Sequence, residues 1–201
     1  MKQNLLIWGT GGHAHVVVES CRYGSYRMID DNSQEYKDDS WINLFPKEQW
    51  DTFIAIGDNK TRELITNRLR AKDYQQTNII SRDSYLSPTV QLGTGIYIAP
   101  MATVMTHTIL GDGCIINTNS SVDHDCHIGS YTHVSPCACL GGNVTTFERV
   151  WIGLGSSINH KVIIQDDIIV AGGSSVIDNL SQPKSLYAGN PAVYKKELTN
   201  A

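Results

Sequence analysis

Val122-Asp123-His124-Asp125-Cys126-His127-Ile128-Gly129-Ser130-Tyr131-Thr132-His133-Val134-Ser135-Pro136-Cys137-Ala138-Cys139-Leu140 is the stretch that decides the fold. An aliphatic side chain returns at every sixth residue, and the period runs on in both directions. The series is Leu86, Leu92, Ile98, Val104, Leu110, Ile116, Val122, Ile128, Val134, Leu140, Thr146, Ile152, Ile158, Ile164, Val170, Val176. Fifteen of the sixteen are Leu, Ile or Val; these types make up 47 of 201 residues, so chance would supply fewer than four. Four places further on, the residue is small or β-branched, as at Ala102, Thr108, Cys114, Ser120 and Cys126. One place further on, Gly, Asn or Asp recurs, as at Gly111, Asn117, Asp123 and Gly129, residues that accept unusual backbone angles cheaply. A period of six suits neither an α-helix nor a flat alternating strand. It suits a strand and corner repeated three times per coil, with coils stacked about 4.8 Å apart and aliphatic side chains inside. The expected architecture is a parallel β-helix of hexapeptide repeats. At Thr146-Phe147 one inward aliphatic is missing, and a distorted coil is expected there.

Outward from this core the composition changes near residue 85. Lys and Arg nearly vanish after it, whereas charged helical stretches alternate with apolar strands before it. The expected domains are an α/β unit over 1–84, joined through 77–84 to the β-helix over 85–181, and a tail over 182–201. The chain is 41% hydrophobic and 18% charged, which suits a buried core rather than disorder. A net charge of −4 and a pI near 5.9 argue against nucleic-acid binding and against an anionic membrane as partner. No apolar run is long enough to span a bilayer, and the N-terminus does not read as a secretory signal. Five cysteines without framework spacing are the usage expected in a reducing cytoplasm.

In the first domain, strands are expected at Leu5–Trp8, Tyr26–Ile29, Thr52–Ile56 and Asn78–Ile80, with helices at His13–Cys21 and Asn59–Lys72. Gly9-Thr10-Gly11-Gly12 forms the turn between first strand and first helix. Gly9-x-Gly11-x-x-Ala14, with Asp30 about twenty residues on, formally fits a dinucleotide fingerprint, which holds phosphate at a helix N-terminus. A full dinucleotide fold needs more strands than this segment supplies. Half of such a fold suits a nucleotide-linked sugar better than NAD. Asp30 and Asp31 end a strand, where carboxylates accept hydrogen bonds from ribose or base.

Subtracting one 18-residue coil shows which residues stack. Thr106, His124, Gly142 and His160 share one column; His107, Asp125, Asn143 and Lys161 share the next. Both should point outward. Among the seven histidines, His124 stands between Asp123 and Asp125. A neighbouring carboxylate raises imidazole basicity, as a general base requires. Gly142, one coil on, would let a substrate carbonyl approach a bare backbone N–H. His133 falls on a different side of the coil, so it could meet His124 only between facing subunits. Cys126, Cys137 and Cys139 lie near these histidines, but their spacing is not that of common zinc sites, and no metal is expected. Cys114 and Cys126 fall in the small inward column, as small hydrophobes.

Several of these segments carry a resemblance. Gly9-Thr10-Gly11-Gly12-His13, Ile29-Asp30-Asp31-Asn32, Phe53-Ile54-Ala55-Ile56-Gly57-Asp58-Asn59, Val122-Asp123-His124-Asp125-Cys126 and the closing Tyr187-Ala188-Gly189-Asn190-Pro191-Ala192 resemble the NeuD/PglD family of bacterial sugar acyltransferases. The resemblance covers nearly the whole chain. It implies a half-Rossmann nucleotide-sugar domain, a left-handed β-helix and a homotrimer, with acetyl-CoA as co-substrate. It implies acetylation of the amine of a UDP- or GDP-linked amino sugar. O-acetylation of a sugar of the sialic acid type, and a non-catalytic nucleotide-sugar-binding trimer, are the alternatives. By the same resemblance His124, Asp125 and Gly142 carry the chemistry, with Asp125 where the family has Glu. His133 contacts the acyl group, and Gly142, Asn143, Gly172 and Gly173 border the acetyl-CoA. Gly11, Gly12, His13, Asp30, Asp31, Gly57, Asp58 and Asn59 border the nucleotide sugar. Lys184, Lys195 and Lys196 are candidates for the phosphates of CoA. Outward Trp151 is expected under a neighbouring subunit.

Overall fold

The computed structural model describes residues 3–31 and 41–199; Asn32 of the motif above lies outside them. The chain begins as an α/β unit. Strands β1 (Asn4–Trp8), β2 (Ser25–Ile29) and β3 (Trp50–Ile54) form a parallel sheet of order β2-β1-β3. Helix α1 (Gly12–Ser20) follows β1, a single turn α2 (Trp41–Leu44) precedes β3, and α3 (Asn59–Arg70) follows β3. Leu5, Leu6, Ile7 and Trp8 are all buried, as expected of a central parallel strand covered on both faces. Asp58 starts α3 by accepting the Thr61 N–H at 2.8 Å, which satisfies one of the open donors of the first turn. The expected fourth strand does not join this sheet. Ile79–Ile80 instead pairs with Tyr97–Ile98 as the first rung of the β-helix, so the ladder begins one hexad before residue 85.

From there the chain is a parallel, left-handed β-helix whose two-residue rungs build three faces. One face stacks Ile79–Ile80, Tyr97–Ile98, Ile115–Ile116, His133–Val134, Trp151–Ile152 and Ile169–Val170. The second stacks Tyr85–Leu86, Thr103–Val104, Ser121–Val122, Cys139–Leu140, Ser157–Ile158 and Ser175–Val176. The third stacks Gln91–Leu92, Ile109–Leu110, His127–Ile128, Thr145–Thr146 and Ile163–Ile164. The second residue of each rung points inward, and from Ile98 to Val176 these residues make one continuous core with Cys114, Cys126 and the other small residues. Thr146 causes no distortion: its rung pairs in register with Ile128 and Ile164. Its buried hydroxyl accepts the Gly129 N–H at 3.1 Å, so the polar atom is satisfied inside the coil. The tail is ordered on the ladder: Ser185–Gly189 pairs parallel with Ile169–Val170 and antiparallel with Ala192–Glu197.

The N-terminal unit packs on the first face alone. Outward Tyr97 and Ile115 are therefore fully buried, in one cluster with Leu5, Ala14, Val17 and Phe53. Arg62 pins the junction. It is 1% exposed, and its guanidinium donates to the carbonyls of Gly113, Ile56, Gly57 and Tyr131 and to Asn59 Oδ1, at 2.7–3.0 Å. Burial lowers its pKa to about 10, which still leaves it charged at neutral pH. The edge where the second and third faces meet lies across the prism from this junction.

Candidate active site

Four of the expected residues meet on that far edge. Asp125 and Asn143 occupy its corner positions with φ of 59° and 60°, and His124 precedes the first of them. Here His124 Nδ1 lies 2.7 Å from Asp125 Oδ2, so the carboxylate reaches the ring although Asp is shorter than Glu. Asp123 Oδ1 accepts the His124 backbone N–H at 2.7 Å. The imidazole is half-exposed. The bond to Asp125 raises its pKa, desolvation opposes this, and the Asp123 charge adds to the rise; Asp125 is correspondingly lowered, first by His124.

Gly142 lies against this ring. A β-carbon built there would stand 2.5 Å from His124 Nε2, so only glycine lets the imidazole occupy this place. Gly142 O accepts from the Lys161 N–H at 3.0 Å, while the Gly142 N–H has no hydrogen-bond partner among the described residues. Asn143 donates its backbone N–H to His124 O at 2.9 Å, fixing the two coils in register. Two coils above His124, His160 is exposed, and its Nδ1 contacts Asn159 Oδ1.

His133 is elsewhere. It stands on the first face, 7% exposed, stacked on Trp151 at 5.2 Å between centroids, with Nε2 3.0 Å from Asn117 Nδ2. Trp151 is thus packed within its own chain, and its Nε1 donates to Ser135 Oγ at 2.9 Å. Burial, then the Arg62 charge, lowers the His133 pKa to about 3, and burial lowers that of His13 to about 4. His133 Nδ1 and His13 Nε2 are both buried without a partner among the described residues. Gly172 and Gly173 are exposed at the edge between the first and second faces, distant in the coil from His124.

The N-terminal unit carries a cleft of about 400 Å³ at the ends of β1 to β3, where ligands of open α/β sheets bind. Gly11, Gly12, His13, Asp30, Asp31 and Gly57 line it. Gly9 makes the sharp exit from β1: its φ is 121°, and a β-carbon there would lie 2.7 Å from Ala55 O. Thr10 Oγ1 donates to Asp30 Oδ2, and Arg68 pairs with Asp31 at 2.9 Å while lying over the Trp8 ring. Asp58 and Asn59 fall outside this cleft. Asp58 caps α3, and buried Asn59 donates to the carbonyls of Arg149 and Val150. Both border a second cavity of about 350 Å³, with Trp151, Ile169 and Lys196.

Sequence reasoning missed Arg62, and it placed His107 in the column of Asp125 without giving it a role. Arg62 stands in the buried stripe of α3 with Asn59, Ile65, Thr66 and Leu69, and a charged residue in such a stripe is the available signal. Cys114 and Cys126 are buried as expected, and burial raises their thiols to about 12 and 11. Among the described residues no group of three or more His, Cys, Asp or Glu converges as a metal site, and no helix is long and apolar enough to cross a membrane.

Known proteins match both halves of the chain. Residues 4–69 match the PglD N-terminal domain, and residues 107–142 match the bacterial transferase hexapeptide repeat. The structure resembles PerB from Caulobacter crescentus, solved with CoA and GDP-perosamine, at 32% identity and TM-score 0.89 over 96% of this chain and 97% of that one. It also resembles the acetyltransferase domain of PglB from Neisseria gonorrhoeae, at 29% identity and TM-score 0.91 over 96% and 100%. GDP-perosamine N-acetyltransferase of Escherichia coli O157:H7 is 30% identical over 119 residues, 59% of this chain and 54% of that protein. The match thus spans only about half the length of that curated relative, but nearly all of the solved ones. An α/β unit fused to a hexapeptide coil, aligned almost end to end with PerB, makes the chain a member of the NeuD/PglD-type family of sugar acyltransferases.

Proposed function

We propose that the chain transfers the acetyl group of acetyl-CoA to the amine of a nucleotide-linked amino sugar, with His124 as general base. The observation that carries this reading is the 2.7 Å His124–Asp125 contact, with the ring seated over Gly142. A proton on Nδ1, donated to Asp125, leaves Nε2 as the acceptor. The neutral amine attacks the thioester carbon, forming the C–N bond as the carbonyl electrons move to oxygen. The unpartnered Gly142 N–H is the donor for that oxyanion. His124 Nε2 takes the amine proton. Collapse breaks the C–S bond, and the leaving thiolate takes the proton back from the imidazolium, giving amide and free CoA.

The nucleotide sugar lies in the cleft of Gly11, Gly12, His13, Asp30, Asp31 and Gly57, with phosphate at the N-terminus of α1. Relatives named for GDP-perosamine favour a GDP-linked amino sugar. Cleft and base stand on opposite sides of one coil, so the working site joins the His124 edge of one subunit to the cleft of another. This supports the homotrimer, in which His133, Asn143, Gly172 and Gly173 reach acetyl-CoA from different subunits. Met101, Phe147, Leu154, Ile163 and Ile177 are exposed on the sides of the coil that the N-terminal unit leaves open, a surface suited to such contacts. Five free cysteines agree with work in the cytoplasm.

The test is thiol release from acetyl-CoA against GDP-perosamine and a panel of UDP- and GDP-amino sugars, followed by mass spectrometry of the product. An N-acetyl product from one nucleotide sugar is expected. Turnover only with a hydroxyl acceptor would overturn the N-acetyl reading. A monomer in sedimentation at micromolar concentration would remove the shared site.

A further inference from the structure

The carboxylate that orients His124 is held from two sides. His107 occupies the corner one coil below, in the column of Asp125, and its Nδ1 lies 3.5 Å from Asp125 Oδ1 while His124 Nδ1 holds Oδ2 at 2.7 Å. Two imidazoles therefore share one carboxylate, one on each oxygen. The lower ring stands on a prepared corner: His107 has φ 58°, and its backbone N–H donates to Thr89 Oγ1 at 3.0 Å. Thr89 Oγ1 also contacts Thr106 Oγ1 at 2.7 Å. His107 is 66% exposed in its side chain, so it fills no core.

We propose that His107 is a positioning residue for the His124–Asp125 pair, turning the carboxylate toward His124 and limiting how strongly it binds the imidazolium. The proposal rests on the general-base reading of His124. His107 turns Nδ1 toward Oδ1 at 3.5 Å, a polar contact that favours the carboxylate plane in which Oδ2 aims at His124. The same contact draws on the carboxylate charge, so His124 gives up its proton more readily than it would beside an uncontested Asp125. Protonated His107 acts in the same direction, by repulsion. The charged and titratable groups around the pair are Asp123 on its own corner, His107 below, and Lys161 and His160 two coils above. Of these, His107 is the one in contact with Asp125 besides His124 itself. The device would offset part of the rise that two flanking carboxylates impose on the imidazole, the direction that keeps a general base free to accept a proton.

The test uses the full-length protein with histidine labelled at Cε1 and follows the titration of His124 by NMR, with no substrate present. His107→Gly removes the ring at a backbone conformation that glycine accepts without strain; His107→Asn keeps a neutral donor at a corner that asparagine also tolerates. The His124 midpoint should rise by about half a pH unit in His107→Gly, the size expected for losing one exposed polar neighbour of its carboxylate, and by less in His107→Asn. The acid limb of kcat/KM in the acetyl-CoA assay with GDP-perosamine should move up by the same amount, with KM for the sugar nearly unchanged. A role confined to corner stability would lower the melting temperature and leave the midpoint in place; that result overturns the proposal. If the midpoint moves but His124→Ala remains active, His107 still positions the pair and the general-base reading is the part that fails.

Discussion

The covered face and the far edge of this β-helix place the same residue type in opposite electrostatic states. On the covered face, His133 lies under the N-terminal unit beside Arg62, and its pKa is lowered to about 3. On the far edge, His124 stands half in solvent beside two carboxylates, and its pKa is raised, first by Asp125. The two are nine residues apart in sequence, and each belongs to the same six-residue rhythm. The difference lies in what packs outside the coil. A repeat that is indifferent to outward residues can thus build a dry, neutral wall on one side and a basic, wet edge on the other. The first suits enclosure of a ligand, the second suits proton transfer.

The largest effect expected from breaking this contrast is loss of the edge base. His124→Ala should lower kcat by roughly 10²–10⁴. Nucleotide-sugar affinity by calorimetry should hardly change, because on the proposed reading Gly11, Gly12, Asp30 and Asp31 of the facing subunit hold the nucleotide and His124 meets the amine alone. The acid limb of kcat/KM should disappear. Near-normal kcat in His124→Ala, with loss in His133→Ala or His160→Ala, would assign the base to the wrong histidine.

The covered face predicts acid sensitivity of the fold. His13 and His133 stay neutral in the native protein but take up a proton below about pH 6.5 when unfolded. The unfolded state then binds more protons, so stability falls as pH drops from about 6.5 towards their native values. Between pH 7 and 5 each should cost about 2 kcal/mol. His124 has the opposite sign: its raised pKa contributes stability at low pH that is lost as pH rises through its native value. Urea melts of wild type and His133→Asn should therefore converge as pH falls, with the variant losing about half as much stability. Parallel curves would refute the buried neutral state.

The smallest effect sharpens the edge itself. Gly142→Ala would set a β-carbon 2.5 Å from His124 Nε2, so the ring must swing away from its place over the coil. We expect kcat to fall about tenfold, a modest share of the general-base contribution, while the urea midpoint barely moves. An unchanged rate would mean that the imidazole works from another rotamer.

The sequence by itself determined the coil. A core of one inward side chain per six residues is a local rule, and local rules are legible in the order of residues. It also determined that His124, Asp125, Gly142 and Asn143 stack, because one coil is a constant 18 residues. The cleft at the ends of the sheet was legible through Gly11, Gly12, Asp30 and Asp31, since a parallel strand must end where its helix begins. Tertiary structure alone decided the rest. Ile79–Ile80 reads as a strand in either domain, and it joined the β-helix because Tyr97–Ile98 offers it a parallel edge. Asn59 sits in the motif like a ligand contact, yet its side chain is spent on the carbonyls of Arg149 and Val150, about ninety residues away. Arg62 has the composition of a surface helix residue, and only the docking of two domains buries it with carbonyls enough to satisfy a guanidinium. Thr146 broke the hexad pattern without bending the coil, because a neighbouring N–H was in reach of its hydroxyl. The periodic residues answer to the coil, and these exceptions answer to partners that no local pattern can name.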